Sequence, residues 1–264
     1  MVKLAANLNF LFTEVDFLDR FALAKRHGFE AVEYPFPYDN PEDELASRLH
    51  EHGLTQALIN LPAGDWAAGD RGMACDPARV DEFREGVGAA IRYARALDCP
   101  RANCLAGFAP AGVSEATAQR TLVENLRYAG RAFQDAGLQL LVEPINTRDM
   151  PGFFVNTSAQ TLALREDVGD GLVGLQYDAY HMQIMEGDLA RTVQENLSAI
   201  GHIQIADNPG RHEPGTGEVN YDFFLGHLDT IGYDGWVGCE YAPATTTEAG
   251  LGWIRPYLSG GGAS

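Results

Sequence analysis

The sequence predicts a single (β/α)8 barrel, the TIM-barrel architecture of α/β proteins, spanning residues 1–258. Three observations carry this reading. Short apolar runs alternate with longer amphipathic stretches about eight times along the chain. A length of 264 residues suits one such barrel. Strands that alternate with helices imply a parallel sheet. A doubly wound open sheet is the competing arrangement, but no strand is followed by a glycine-rich dinucleotide fingerprint.

The expected strands are Lys3–Leu8, Ala31–Tyr34, Thr55–Leu61, Arg101–Ala106, Gln139–Glu143, Val173–Asp178, His202–Ala206 and Trp236–Tyr241. Helical stretches lie between them, clearest at Asp81–Leu97 and Glu115–Ala136. In the first of these, Phe83, Val87, Ala90, Ile91 and Ala94 recur at helical spacing. Ser114 is placed to cap the second, with Thr117 in its first turn. Gly28, Gly53 and Gly137 each stand just beyond a helix and before a strand, where a left-handed residue is wanted. The terminal run from Ser259 to Ser264 is of low complexity and is expected to be disordered.

A hydrophobic content of 45% supplies a large core. The net charge of −18 argues against nucleic acid as a partner, because phosphate binding needs a basic stripe that releases counterions. No apolar run approaches the ~18 residues of a membrane span, and the N-terminus lacks the apolar segment of a secretory signal. Cys75, Cys99, Cys104 and Cys239 form no CxxC pair. Two disulfides are arithmetically open to them, but Cys104 and Cys239 lie in apolar strand-like runs, where reduced buried thiols are commoner. The expected location is the cytoplasm.

In barrels of this class the chemistry sits where strands end, at the C-terminal face. Four polar residues stand at or near such ends in successive strands: Glu143, Asp178, Gln204 and Glu240. Their separations of 35, 26 and 36 residues each approximate one strand–helix unit, so they belong to neighbouring strands around half the barrel. Side chains alternate along a strand. If Ile203 and Ile205 face the helices, His202 and Gln204 face inward, and likewise Glu240 opposite Cys239.

Three carboxylates and an amide gathered at one point repel unless a positive charge sits among them. A divalent metal with hard oxygen ligands, Mg²⁺ or Mn²⁺, resolves that conflict. Such a site supports enolisation: the metal polarises a carbonyl and its neighbouring hydroxyl, one carboxylate removes a carbon-bound proton, and another returns one to the adjacent carbon. Glu143 and Glu240 occupy the two ends of the array and suit the proton-transfer pair. The plainer alternative is that all four are unrelated strand-end residues tied to helix N-termini.

Several segments resemble the hydroxypyruvate isomerases. They are Leu-Pro-Ala-Gly-Asp-Trp-Ala-Ala-Gly (61–69), Glu-Pro-Ile-Asn (143–146), Tyr-His-Met-Gln (180–183) and Gly-His-Ile-Gln-Ile-Ala-Asp-Asn-Pro (201–209). Glu-Pro-Gly-Thr-Gly-Glu (213–218) and Gly-Cys-Glu-Tyr (238–241) complete the set, and the order holds from near residue 5 to near residue 252. The resemblance implies a xylose isomerase-like barrel that interconverts hydroxypyruvate and tartronate semialdehyde (2-hydroxy-3-oxopropanoate), a small 2-oxo hydroxy-acid chemistry. The family's two catalytic glutamates fall on Glu143 and Glu240. In the related sugar epimerases, the metal ligands fall on Glu143, Asp178, Gln204 and Glu240, with a histidine where this chain has Gln204. Ala242 is a second departure, since the family usually has a long polar residue there, often lysine.

Other positions carry two readings each. His181, three residues after Asp178, is a donor to a substrate oxygen, as the epimerase resemblance implies, or a loop histidine capping a helix. Arg211 is a bidentate clamp for the substrate carboxylate, or the partner of nearby Glu213 in a surface pair. Glu33, Asn7 and Asn60 end the first three strands and, taken singly, read as structural. His202 faces inward one layer below Gln204 and reads as a satisfied core histidine. The loop around Trp66 reads as a lid, a homo-oligomer contact, or a wedge against a helix.

Two other functions compete with hydroxypyruvate isomerisation. One is a 2-oxo-tetronate isomerase or ketose epimerase acting on a longer substrate. The other is a non-catalytic or nuclease barrel, disfavoured by the net charge and by the lack of a histidine-rich multi-metal cluster.

Overall fold

In the computed structural model, which describes residues 1–169 and 171–258, every named strand belongs to one parallel sheet. The strands are β1 (Lys3–Asn7), β2 (Ala31–Glu33), β3 (Thr55–Gln56), β4 (Ile59–Asn60), β5 (Arg101–Cys104), β6 (Gln139–Val142), β7 (Val173–Asp178), β8 (Ile200–Ile205) and β9 (Trp236–Cys239). Their order around the sheet is β3-β2-β1-β9-β8-β7-β6-β5-β4.

The two end strands, β3 and β4, are halves of the single strand expected over Thr55–Leu61, interrupted at Ala57 and Leu58. One half pairs with β2 and the other with β5, so the ring closes through them. Backbone bonds from Ala57 to Val32 and from Leu61 to Asn103, both 2.8 Å, continue the ladder on either side of the break. The eight-strand barrel is therefore present, with one strand split where it passes from one neighbour to the other.

The helices are α1 (Arg20–Arg26), α2 (Glu42–His52), α3 (Val80–Ala96), α4 (Glu115–Asp135), α5 (Ser158–Val168), α6 (Ala179–Met185), α7 (Leu189–Glu195), α8 (Tyr221–Ile231) and α9 (Thr247–Gly250). In α3, Phe83, Val87, Ala90 and Ala94 are buried, as their spacing requires. Ser114 caps α4 by accepting from the Thr117 backbone N–H at 3.2 Å. Gly53 ends α2 at φ 57°, ψ 47°, a conformation that costs other residues a Cβ clash, and its N–H closes the last turn. Gly28 and Gly137 share the positive φ. The tail expectation for residues 259–264 falls outside the described residues.

The barrel interior is layered. Ala5, Ala31 and Ala57 pack together beneath the polar residues, with Trp236 against them. Above them, alternate inward positions carry Asn7, Glu33, Asn103, Gln176, His202 and Gln204, all buried. The apolar core proper lies outside the ring, between strands and helices, where Val32, Leu140, Val142, Ile203, Ile205 and Val237 meet the helical faces. All four cysteines are buried and free, as reduced thiols. Among the described residues, no helix is long and apolar enough to cross a membrane.

Candidate active site

Glu143 and Glu240 each follow the last residue of a strand, β6 and β9, and Asp178 ends β7. All three therefore stand on the C-terminal rim with their side chains directed over the barrel axis. One oxygen from each, together with a ring nitrogen of His181, lies within 4.8 Å of the others. Asp178 also starts α6: its Oδ1 accepts from the Tyr180 backbone N–H at 2.8 Å, which leaves Oδ2 buried and without a hydrogen-bond donor among the described residues. His181 sits on the first turn of that helix, with Nε2 3.5 Å from Asp178 and 3.8 Å from Glu143.

A polar network fixes the carboxylates from below. Asn103 donates to Glu143 Oε2 at 2.9 Å. Asn7 donates to Glu240 Oε1 at 3.2 Å and to Glu33 Oε1 at 3.0 Å. Gln204 Nε2 donates to the same two acids, at 2.8 Å to Glu33 and 3.3 Å to Glu240, while its Oε1 accepts from Gln176 at 2.6 Å. His202 lies 2.6 Å from Glu33. Glu33 is thus the hub of a fully buried cluster that ties β1, β2, β8 and β9 together.

Arg211 covers the site from the loop after β8. Its guanidinium donates to Glu240 Oε2 at 2.7 Å, approaches Asp178 at 3.9 Å, and lies 5.0 Å from the ring centres of both Phe10 and Tyr180. Asp207 shapes that loop by accepting the backbone N–H groups of Gly215, Gly217 and Val219 at 2.8–3.0 Å. The loop also docks on the backbone of position 242: Ala242 N donates to Arg211 O at 2.9 Å, and His212 Nδ1 lies 2.7 Å from Ala242 O.

Burial dominates the electrostatics of the cluster. It pushes Glu143 well above the usual carboxylate range, reinforced by the charges of Glu240 and Asp178. Burial likewise raises Glu240 to about 8 and Asp178 to about 6, with Arg211 opposing both shifts. His181 is driven well below its ordinary value by burial and then by Arg211. A site that raises three carboxylates and discharges its histidine favours an added positive charge among them.

The donor set fits a divalent cation. Three hard carboxylates converge, one buried oxygen has no hydrogen-bond donor among the described residues, and a mutual spread within 4.8 Å suits oxygen ligands at about 2.0–2.4 Å from a shared centre. Above the cluster opens a cavity of about 960 Å³, whose floor includes Glu143, His181, Arg211 and Glu240. Its outer wall is aromatic, with Phe36 against Trp66 and Tyr38 against Tyr93, each pair 5.1 Å between ring centres.

Comparison with known proteins places this geometry. Residues 21–257 match the model of the xylose isomerase-like TIM barrel family. The chain belongs to that family. Among curated relatives of this xylose isomerase-like barrel is hydroxypyruvate isomerase of Escherichia coli K12, 54% identical over 97% of this chain and 100% of the relative. Another is 2-oxo-tetronate isomerase of Cupriavidus necator, 48% identical over 98% of this chain and 99% of the relative. Among solved structures, AP endonuclease, family 2, from Brucella melitensis superposes with a TM-score of 0.95. That protein is 46% identical, over 98% of this chain and 100% of its own.

Within this xylose isomerase-like barrel, Glu143, Asp178 and Glu240 come together as their strand positions require, and His181 and Arg211 join them. Gln204 lies beside Glu240 but turns its amide nitrogen toward it, its oxygen being engaged by Gln176. Arg211 pairs with Glu240 and not with Glu213, which instead accepts from the Ala244 backbone. The Trp66 loop lines the cavity, and Arg71 lies 3.9 Å above the indole. Sequence reasoning left Asn103, Asn146 and Gln176 unassigned and read Glu33 singly as structural. A buried acid closing an apolar strand was the available signal for Glu33.

Proposed function

We propose that this chain interconverts hydroxypyruvate and 2-hydroxy-3-oxopropanoate by proton transfer between adjacent carbons. The observation that carries the reading is the pairing of two buried glutamates, Glu143 and Glu240, on opposite sides of Asp178 at the mouth of the barrel. Hydroxypyruvate isomerase and 2-oxo-tetronate isomerase among full-length relatives support the same class of reaction.

In the forward direction, one glutamate takes a proton from C3 of hydroxypyruvate as the C2–C3 double bond forms. The other gives a proton to C2, and the C3 hydroxyl proton passes to the C2 oxygen, so the product is an isomer with nothing added or lost. Arg211 opposes the burial that raises Glu240 to about 8, which makes Glu240 the more easily charged of the two glutamates and suits it to accept; Glu143, hydrogen-bonded by the neutral donor Asn103, suits the return of the proton. Roles exchange in the reverse direction. Arg211 also lines the cavity, where its guanidinium is placed to meet the substrate carboxylate.

Glu143, Asp178 and Glu240 are our proposed ligands for Mg²⁺ or Mn²⁺, which supplies charge stabilisation for the developing oxyanions. Gln204 completes the sequence-derived ligand set only if its amide turns over. That would set its oxygen against Glu33 and break the bond to Gln176 in its present form. Its present contacts suit it to holding Glu240.

The cavity supports a second reading. About 960 Å³ is ample for a four-carbon or longer hydroxy-oxo acid as well as a three-carbon one, so the 2-oxo-tetronates are the alternative substrates. The net charge of −18 favours a small-molecule substrate over nucleic acid and is in keeping with a cytoplasmic protein.

The test supplies hydroxypyruvate and follows product through tartronate semialdehyde reductase and NADH. Loss of NADH above the enzyme-free control is expected, and none would refute the reading. Parallel kcat/KM values for hydroxypyruvate and a 2-oxo-tetronate decide between the substrates.

A further inference from the structure

His181 has two ring nitrogens, and the structure determines which one carries the proton through Asn146. Asn146 is fully buried. Its Oδ1 accepts from two backbone N–H groups, Arg148 at 3.0 Å and Asp149 at 2.8 Å. A backbone N–H can only donate, so the atom facing this pair has to be the oxygen, and the amide cannot be turned over. The nitrogen is then the atom that lies 2.6 Å from His181 Nδ1 and 3.0 Å from Asp149 Oδ2. An amide nitrogen offers hydrogens and no lone pair. Nδ1 of His181 must therefore accept, and the ring proton resides on Nε2, the nitrogen that faces Asp178 and Glu143 at the cavity floor.

We propose that Asn146 is a positioning residue that fixes His181 as an Nε2–H donor, so that the imidazole hydrogen-bonds an oxygen of the bound substrate and neither ligates the cation nor accepts a proton. A metal-ligating or basic Nε2 needs a bare lone pair there, with the proton on Nδ1 directed at the Asn146 amide hydrogens. Among the described residues, the atom that faces Nδ1 at hydrogen-bond distance is that amide nitrogen, which cannot accept. Asp149 secures the device: it accepts from Asn146 and also from the Tyr180 hydroxyl at 2.9 Å, which ties the 146–149 turn to α6. The substrate oxygen in question rests on the oxo-acid reading above, whereas the tautomer does not.

The first measurement is the ring ¹⁵N spectrum of histidine-labelled protein in saturating Mg²⁺, with Asn146 intact and His181→Gln used to identify the His181 signals. A proton on Nε2 and a bare Nδ1 are expected. A proton on Nδ1, or loss of the Nε2 proton when Mg²⁺ is added, overturns the proposal. This result needs no turnover, so it stands or falls apart from the choice of substrate.

The second measurement exchanges donor and acceptor in the double variant Asn146→Asp with Asp149→Asn, which conserves charge and volume. A carboxylate at 146 accepts from Nδ1, so the tautomer reverses and kcat falls about 100-fold, as when one oxyanion donor is lost, with KM little changed. Wild-type kcat with a reversed tautomer, or an unreversed tautomer in a folded variant, overturns the assignment. His181→Gln, which keeps an N–H near the Nε2 position, is expected to retain more activity than His181→Ala; equal loss in both counts against a donor role.

Discussion

The carboxylate of Glu33 occupies the space where a side chain at Gly238 would begin: a Cβ built there lies 2.3 Å from Oε1 and 2.4 Å from Oε2. Gly238 lies on β9 two residues before Glu240, so the absence of a side chain at one position admits the acid that shares the donors Asn7 and Gln204 with the other.

Gly238→Ala therefore tests the network beneath the site. Overpacking at a buried position typically costs about 1–3 kcal/mol, and here the displaced group is a buried hub bonded to Asn7, His202 and Gln204. A lowered denaturation midpoint together with reduced kcat is expected. Unchanged values for both would show that Glu33 can be accommodated elsewhere.

Glu143→Gln and Glu240→Gln remove the proton-transfer groups while preserving shape. Each variant is expected to lose at least 10²–10⁴-fold in kcat, the usual contribution of one positioned acid or base. Far-ultraviolet circular dichroism should stay unaltered. Near-full activity in either would eliminate the two-glutamate mechanism.

The raised carboxylates give stability a definite pH dependence. Asp178 at about 6 and Glu240 at about 8 keep their protons in the folded state at pH values where the unfolded chain has released them. The folded state then binds more protons than the unfolded one, so stability falls as pH rises from the ordinary carboxylate range toward 8. Chelator-treated protein should thus melt at a lower temperature at pH 8 than at pH 5, and Glu240→Gln should flatten the slope. Mg²⁺ or Mn²⁺ binds the charged carboxylates, so it should raise the melting temperature more at the higher pH. No shift with either ion at either pH would argue against a cation at this site.

Arg211 combines a charged bond to Glu240 with a position between two rings. Arg211→Gln is expected to lower kcat/KM by about 10–100-fold, since hydrogen bonds to charged groups are worth about 1.5–3 kcal/mol. Arg211→Lys should recover little of this, because an ammonium has neither the fork nor the flat face. Full recovery by lysine would reduce the role of Arg211 to charge alone.

Much of this site is legible in the chain because its determinants are local. Strand and helix periodicity, the Ser114 cap and the glycines at helix ends each depend on a few neighbouring residues. The rim positions of Glu143, Asp178 and Glu240 follow from where each apolar run ends. The split of Thr55–Leu61 into β3 and β4 was not legible, because the strand passes between neighbours that only the closed ring provides.

The sequence by itself determined a barrel of eight units with three acids at the rim of its last four strands, since a strand's end and facing are properties of the strand. Only the tertiary structure decided who partners whom. Asn7 reaches Glu240 across 233 positions, His202 reaches Glu33 across 169, and Arg211 chooses Glu240 over Glu213, two residues away. Gln204 faces its neighbours with nitrogen, not oxygen, because two carboxylates already stand on that side. Hydrogen-bond direction depends on the full set of donors and acceptors that barrel closure brings within about 3 Å, and no local pattern along the chain encodes that set.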